Sequence, residues 1–276
     1  MNELQQPAET VYFDSYEGLM SAIEKIVKET EVVLDIGCGI APMNYFRPKL
    51  HFMVEPWKEY SDILTYRHAG DKSVVILRTG ALEALRSFAD NAVDSIFLLD
   101  VIEHLEKEDG QQIILECERV ARQQVVIFTP LGFMPQHIEN DELDGWGLSG
   151  TSVQEHRSGW MPSDFSSSWS FYICKKFHLT DGKGDVLDEP FGAFFAVRNL
   201  EEKTIMKPEK LADYRRPLPA EIALQQLQAE HRELQEQYAH LIQSCDALSS
   251  KYQLLKNHMC FRFIQRIKNK FSGSEK

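Results

Sequence analysis

The chain has 276 residues, an apolar and aromatic content typical of a globular protein, and a formal net charge of −12. This length suits one large domain with an appendage, and the negative charge argues against nucleic acid as a main partner. The apolar runs are too short to span a bilayer, the polar start is unlike a signal peptide, and the five cysteines are widely spaced. We therefore expect a cytoplasmic protein with reduced thiols.

The first 200 residues alternate between short apolar runs and helix-like stretches. The runs are EVVLDI, HFMVE, SVVIL, VDSIFLL and QVVIFT. This alternation predicts β-α units that build a parallel sheet. Two later β-like runs, WSFYICKKFHL and FGAFFAVRN, flank the turn-rich TDGKGD and predict an antiparallel hairpin that closes the sheet. The expected fold class is α/β and Rossmann-like.

The segment VVLDIGCGI has the form of a ligand-binding turn. A hydrophobic strand ends at Asp35, and Gly37 and Gly39 allow a sharp turn with close approach to a ligand. Twenty residues later the next strand ends at Glu55, where a carboxylate can accept hydrogen bonds from ribose hydroxyls. A dinucleotide-binding fingerprint would need a third glycine, and that position is Pro42. A tight turn without a ligand is the alternative.

A further motif, ADNAVDSIFLLDVIEHL, supplies a turn, a fourth strand ending at Asp100, and the start of the next helix. With the glycine turn it resembles class I methyltransferases that use S-adenosylmethionine (SAM), over roughly residues 11 to 199. The resemblance is closer to a subgroup found in bacterial surface-polysaccharide gene clusters. Its marks are GCGIAPMNYF, VEPWKEY, LLDVIEHLEKEDG, VVIFTPLGFMPQ and HRSGWMPSDF.

The resemblance implies SAM as cofactor and assigns its contacts. It implies that the methionine end of SAM lies on Asp35, Gly37 and Gly39, with Asp100 near the methionyl group, and that Glu55 holds the ribose. Ala81 and Leu82 are implied to lie beside the adenine. Many relatives carry an acid at the position of Ala81, so the adenine contact is the departure from the pattern.

The acceptor side of the reaction is expected on the long segment that follows VVIFT, since it is too long to be a simple connection. Methyl transfer to a hydroxyl needs alignment and a base. We predict His156 as that base, with Asp100 as the second catalytic residue. Arg157 and Trp160 are predicted to contact the substrate. A structural role for His156 and a surface position for Arg157 are the alternatives.

A metal site is a second interpretation of Asp100, Glu103 and His104. The spacing D-x-x-E-H brings these side chains together within one helical turn, and methyltransferases that use a divalent ion carry a similar cluster. Many metal-free relatives also carry the Glu-His pair, which packs near the cofactor. We therefore expect no metal ion.

After a charged linker over residues 201–219, residues 220–258 predict a coiled coil. Leucines recur every seven residues, at Leu227, Leu234, Leu241, Leu248 and Leu255. Five leucines in phase indicate a homo-oligomer, although a single helix docked on the domain is the alternative. The flanking charges favour an antiparallel pair. In that arrangement Glu230 faces Lys251, whereas a parallel pair sets Lys251 against Lys256.

Residues 259–276 form a basic tail. Cys260, Phe263, Ile264, Ile267 and Phe271 share one helical face, and basic residues lie off it. This pattern is typical of an amphipathic segment that lies on an anionic membrane surface, and a docked protein partner would suit it too. A solvated terminus and the end of the coiled coil are the alternatives. A membrane contact would make the protein peripheral at the inner face of the membrane.

We therefore expect a SAM-dependent methyltransferase domain over residues 1–200 that methylates an oxygen of a sugar or glycan. The glycan rests on the resemblance alone. A small aromatic or lipid-like acceptor is an alternative within enzymes. A scaffold that binds SAM but acts through its coiled coil is the alternative from another class.

Overall fold

The computed structural model describes residues 8–136, 143–180, 186–200 and 217–271. The chain divides into two compact units, Met1–Thr204 and Ile205–Lys276. Most of the predicted linker, residues 201–216, lies outside the described residues. No described helix is both long enough and apolar enough to cross a membrane.

The described part of the first unit contains eight strands, five α-helices and two short 3-10 turns. The strands are β1 (Thr10–Phe13), β2 (Val32–Ile36), β3 (Leu50–Val54), β4 (Val74–Leu77), β5 (Val93–Leu99), β6 (Ala121–Pro130), β7 (Ser170–Thr180) and β8 (Val186–Asn199). The helices are α1 (Tyr16–Ile26), α2 (Lys58–Arg67), α3 (Ala81–Arg86), α4 (Lys107–Val120) and α5 (Thr151–Gln154). The 3-10 turns are Ile102–His104 and Pro162–Asp164.

All eight strands join one sheet in the order β1-β7-β8-β6-β5-β2-β3-β4. Strand β8 runs antiparallel to both of its neighbours, β6 and β7, and every other pair is parallel. The predicted Rossmann-like sheet with its antiparallel hairpin is therefore confirmed. The edge strand β1 was not predicted. It has only four residues, and its pairing with β7 joins residues about 160 positions apart.

The sheet is covered on both faces, as its continuous apolar strands require. Leu19 and Ile23 of α1 pack on one face, while Ala84 of α3 and Ile113 of α4 belong to the cluster on the other. Helix α1 begins at a regular N-cap, where the Ser15 hydroxyl accepts a 3.1 Å hydrogen bond from the amide of Gly18. These layers hold the strand ends, on which the site is built, in fixed positions.

The second unit contains one helix, α6 (Pro219–Phe271), of 53 residues. At about 1.5 Å per residue it is about 80 Å long. The five heptad leucines are all exposed in this single chain. The helix runs without a break through the predicted boundary between coiled coil and tail, and residues 272–276 lie outside the described part. A long C-terminal helix is therefore confirmed, while self-association stays a prediction.

Candidate active site

A cavity of about 710 Å³ opens at the carboxyl ends of the central parallel strands. The cavity is lined by the last residues of β2 and β6, Ile36 and Pro130, and by the residues that follow β3 and β5, Glu55 and Asp100. The chain order of the strands reverses between β2 and β5, and such a switch point leaves a crevice where α/β proteins bind ligands. The size is that of a small-molecule site.

The glycine turn after β2 forms one wall of the cavity. Gly37 has φ +63° and Gly39 has φ +54°, which are left-handed values that glycine adopts without strain. A Cβ at Gly37 would lie 2.8 Å from Val101, and one at Gly39 would lie 2.2 Å from the ring of Trp146. Both positions therefore require glycine for conformation and for space.

Asp35 is buried and is not among the residues that line the cavity. Its carboxylate accepts a 2.7 Å hydrogen bond from the amide of Met43 and lies 3.3 Å from Nε2 of His51. These contacts tie the loop after Gly39 back to the sheet. The predicted contact between Asp35 and the cofactor stays a prediction, and in this structure the Asp35 carboxylate holds the loop that follows the glycine turn.

Glu55 lines the cavity and is 4% exposed. One carboxylate oxygen accepts a 2.9 Å hydrogen bond from the amide of Gly39, and the other accepts a 2.7 Å hydrogen bond from the amide of Trp57. Burial raises the pKa of Glu55, and these two amide bonds oppose the increase. Each carboxylate oxygen has a second lone pair, so Glu55 can also accept bonds from a ligand.

Two acidic side chains lie close together after β5. Asp100 has φ +56°, a strained value for a residue other than glycine, and it lines the cavity. Desolvation by the surrounding protein raises the pKa of Asp100 to about 6, and the side chain is open to the cavity. Burial and the charge of Asp100 raise the pKa of Glu103, which is 2% exposed.

The segment of residues 155–160 docks on the 3-10 turn Ile102–His104. The carbonyl of Glu103 accepts hydrogen bonds from the amides of Arg157 (2.7 Å) and Ser158 (3.0 Å). The carbonyl of Ile102 accepts bonds of 3.1 Å from the Ser158 hydroxyl and from Nε1 of Trp160. These four bonds hold His156 beside the turn, although the two segments are about 50 residues apart in the chain.

His104 and His156 face each other with ring centroids 4.9 Å apart. Nδ1 of His104 lies 3.1 Å from the carbonyl of Glu155, and Nδ1 of His156 lies 2.7 Å from the carbonyl of Met134. A carbonyl only accepts, so Nδ1 carries the hydrogen in both rings and Nε2 keeps its lone pair. Desolvation lowers the pKa of His104 to about 4 and also lowers the pKa of His156, so both are neutral at pH 7.

Residues 34–129 match the family model described as "Methyltransferase domain". The match begins in β2 and ends in β6, so it contains the glycine turn, Glu55, Asp100 and the turn Ile102–His104. This region is a SAM-dependent methyltransferase domain. The cofactor of the domain is therefore SAM.

The chain is similar to several solved structures. The YcgJ protein of Bacillus subtilis has 15% identity and TM-score 0.47, over 68% of this chain and 100% of that chain. A SAM-dependent methyltransferase from Archaeoglobus fulgidus has 14% identity and TM-score 0.41, over 67% and 96%. The magnesium protoporphyrin IX methyltransferase of Synechocystis, solved with bound SAM, has 11% identity and TM-score 0.38, over 66% and 76%. No curated protein sequence matches the chain.

The other sequence-predicted residues fall into two groups in this methyltransferase domain. Ala81 and Arg157 line the cavity. Leu82 packs against the hydrophobic core and is not among the lining residues. Trp160 is fully buried, and the ammonium group of Lys107 lies 3.8 Å from its ring centroid. The predicted substrate contact of Trp160 stays a prediction, while the ring has no exposed surface in this structure.

Further contacts at the cavity come from residues that were not among the predicted site residues. Asp144 accepts hydrogen bonds from the hydroxyl of Tyr60 and from the amides of Trp146 and Gly150. This network holds the Trp146 ring 5.0 Å from that of Tyr60, over the glycine turn. His178, on β7, also lines the cavity, and its buried Nε2 has no hydrogen-bond partner.

Replacing Trp160 with phenylalanine tests the docking of residues 155–160. Trp160→Phe removes the Nε1 donor and part of the ring from a fully buried site. We expect the free energy of unfolding to fall by about 1–3 kcal/mol. The matched control is Trp57→Phe, because Nε1 of half-buried Trp57 donates no hydrogen bond. Urea unfolding of both variants is the measurement, and equal losses would contradict the anchoring role of Trp160.

Proposed function

We propose that the methyltransferase domain transfers the SAM methyl group to a hydroxyl oxygen of a sugar or glycan in bacterial surface-polysaccharide biosynthesis. The observation that carries the oxygen acceptor is the neutral His156, with its Nε2 lone pair free, in the wall of the cofactor cavity. Gln136, Arg157 and Thr180 also line that cavity and offer polar groups for sugar hydroxyls. The sugar class itself rests on the motif resemblance.

SAM is proposed to bind along the strand ends. Its ribose hydroxyls donate to Glu55, whose carboxylate keeps free lone pairs after bonding two amides. Its methionine part lies along Gly37 and Gly39, which line the cavity. Ala81 lies beside the adenine. Asp100, strained and open to the cavity, faces the charged end of the methionine part.

His156 is proposed to assist the loss of the acceptor proton. The acceptor oxygen attacks the methyl carbon while the carbon–sulfur bond breaks, and the electron pair of that bond stays on sulfur as S-adenosylhomocysteine. The hydroxyl proton must leave the oxygen in the same process. A neutral imidazole with a lowered pKa and a fixed ring suits this task, because the Nδ1 bond to Met134 orients it.

Glu55→Gln tests the ribose contact. The substitution removes a charged acceptor that is buried in the cavity wall. SAM affinity should fall about 10- to 100-fold, since a charge-assisted hydrogen bond contributes about 1.5–3 kcal/mol. Glu31→Gln is the control, because Glu31 is exposed and pairs with exposed Lys49 on the surface. Isothermal titration with SAM measures both variants, and unchanged affinity in Glu55→Gln would remove Glu55 from the cofactor site.

His156→Ala tests the acceptor side. We expect turnover to fall by a factor of about 10² to 10⁴ while SAM affinity changes little, because the imidazole acts on the acceptor proton. The assay follows formation of S-adenosylhomocysteine with a panel of nucleotide sugars, glycans and small aromatic alcohols. Unchanged turnover would assign His156 a structural role. Turnover confined to the aromatic alcohols would replace the glycan proposal.

We also propose that α6 pairs with α6 of a second copy as an antiparallel coiled coil. Its five heptad leucines are 59–71% exposed in one chain, and an exposed apolar row of this kind needs a partner. In an antiparallel pair Glu230 of one helix faces Lys251 of the other. Each such surface pair adds only about 0.3–0.5 kcal/mol, so the charges bias the direction and the leucines supply the affinity.

Substituting two leucines tests the coiled coil. Leu234→Asp with Leu241→Asp should convert the oligomer to a monomer, because both charges enter the apolar seam. Gln243→Asp with Ser250→Asp adds the same two charges on the opposite side of the helix and should leave the oligomer intact. Light scattering after gel filtration measures the mass. A monomeric wild type, or an oligomeric Leu234→Asp/Leu241→Asp variant, would contradict the proposal.

Oxidation of the native Cys245 on the coiled-coil face distinguishes a parallel pair of helices from an antiparallel pair. In a parallel, in-register pair Cys245 faces Cys245, so mild oxidation cross-links the wild type. In the proposed antiparallel pair Cys245 faces Leu234 instead, and oxidation cross-links Glu230→Cys to Lys251→Cys once Cys245 and Cys260 are replaced by alanine.

A further inference from the structure

Three side chains beside the cofactor cavity are arranged like a set of metal ligands. Glu103, His104 and His156 each offer one ligand atom, and these atoms all lie within 4.8 Å of one another. Two of the three, His104 and His156, line the cavity. The third, Glu103, is buried directly behind them on the same 3-10 turn as His104.

The carboxylate of Glu103 has an unused acceptor. Its Oε2 accepts a 3.0 Å hydrogen bond from the hydroxyl of Thr129, but its buried Oε1 has no hydrogen-bond donor. No salt bridge joins Glu103 to a lysine or arginine within the described residues, and the nearby acid Asp100 adds charge of the same sign. A buried carboxylate oxygen without a donor is costly, and either a proton shared with Asp100 or a bound cation would satisfy it.

The two histidines are prepared as ligands. In each ring Nδ1 donates to a backbone carbonyl, of Glu155 for His104 and of Met134 for His156. A second bond of this kind is the usual support of a metal-binding imidazole, since it fixes the tautomer and aims the lone pair of Nε2.

We propose that Glu103, His104 and His156 bind one divalent transition-metal ion, which holds the acceptor hydroxyl beside the SAM methyl group. Two imidazoles and one carboxylate favour ions such as Mn²⁺, Co²⁺ or Zn²⁺ over Mg²⁺ and Ca²⁺, which prefer oxygen ligands. Three protein ligands leave coordination positions for the substrate. The sequence analysis predicts no metal, because metal-free relatives also carry the Glu-His pair, and its candidate cluster held Asp100 where the structure brings in His156.

This inference rests on the proposed function and specifies the part that His156 plays in it. A hydroxyl bound to a divalent ion has a lowered pKa, so its proton passes to water in the cavity. The oxygen then takes the methyl group, and sulfur keeps the electron pair of the broken bond. His156 assists the loss of the proton by holding the ion and does not itself accept that proton.

Cobalt titration of the full-length protein tests the site. The protein is stripped with EDTA, and Co²⁺ is added while the visible absorption and the heat of binding are recorded. We expect saturation at one ion per chain. His104→Ala, His156→Ala and Glu103→Gln should each weaken binding more than about tenfold, since even supporting residues of metal sites contribute about 10- to 100-fold. The control His68→Ala, outside the cavity, should bind as wild type does.

Two results would overturn the metal site. One is the absence of saturable Co²⁺ binding, in which case a proton shared between Asp100 and Glu103 satisfies the carboxylate. The other is binding that neither histidine substitution weakens. Titration with SAM on the same stripped protein separates the two proposals. SAM binding without Co²⁺ binding would contradict only the proposed metal site. Co²⁺ binding without SAM binding would contradict the proposed function and support the metal site.

Discussion

The carbonyl oxygens of Ile102 and Glu103 hold the acceptor side of this site together. They accept two amide hydrogen bonds and two side-chain hydrogen bonds from residues 157–160, and they belong to the turn that follows the central strand β5. Through them a long segment with little regular structure is fixed to the turn that follows the central strand β5. His156 lies at the edge of this contact, so the position of its ring depends on the buried ring of Trp160.

The docking of residues 157–160 on the turn Ile102–His104 also lowers the polarity around His104 and His156. The contact buries Glu103 and surrounds His104 and His156 with protein atoms, which lowers the pKa of both imidazoles and raises that of the carboxyl. Neutral imidazoles with Nδ1 held by carbonyls present lone pairs to the cavity, where a proton or a cation can be bound. The same arrangement thus supplies both the proposed role of His156 and the proposed metal ion. The proposed cofactor contacts need neither, because they come from the Glu55 carboxylate and the glycine turn.

The central strands and the glycine turn could be predicted from the sequence, because each is marked by a local pattern of residues. The five apolar runs predicted the central strands, and glycine spacing with an acid after the next strand predicted the cofactor turn. The direction of side chains was not predictable from the sequence, since it depends on packing between distant segments. Asp35 and Trp160, for example, are buried in the protein. His178 on β7 reaches the cavity because the hairpin folds back beside β6. The pairing of Tyr60 with Asp144 joins residues 84 positions apart and leaves no local pattern.

We propose that SAM binds in this cavity with its methyl group toward the two histidines. A crystal structure with S-adenosylhomocysteine tests it most directly. We expect the ribose hydroxyls within hydrogen-bond distance of Glu55, and the sulfur facing the wall formed by Asp100, His104 and His156. Product bound in the reverse direction, with its adenine against His104 and His156, would contradict the account, as would product bound elsewhere on the domain.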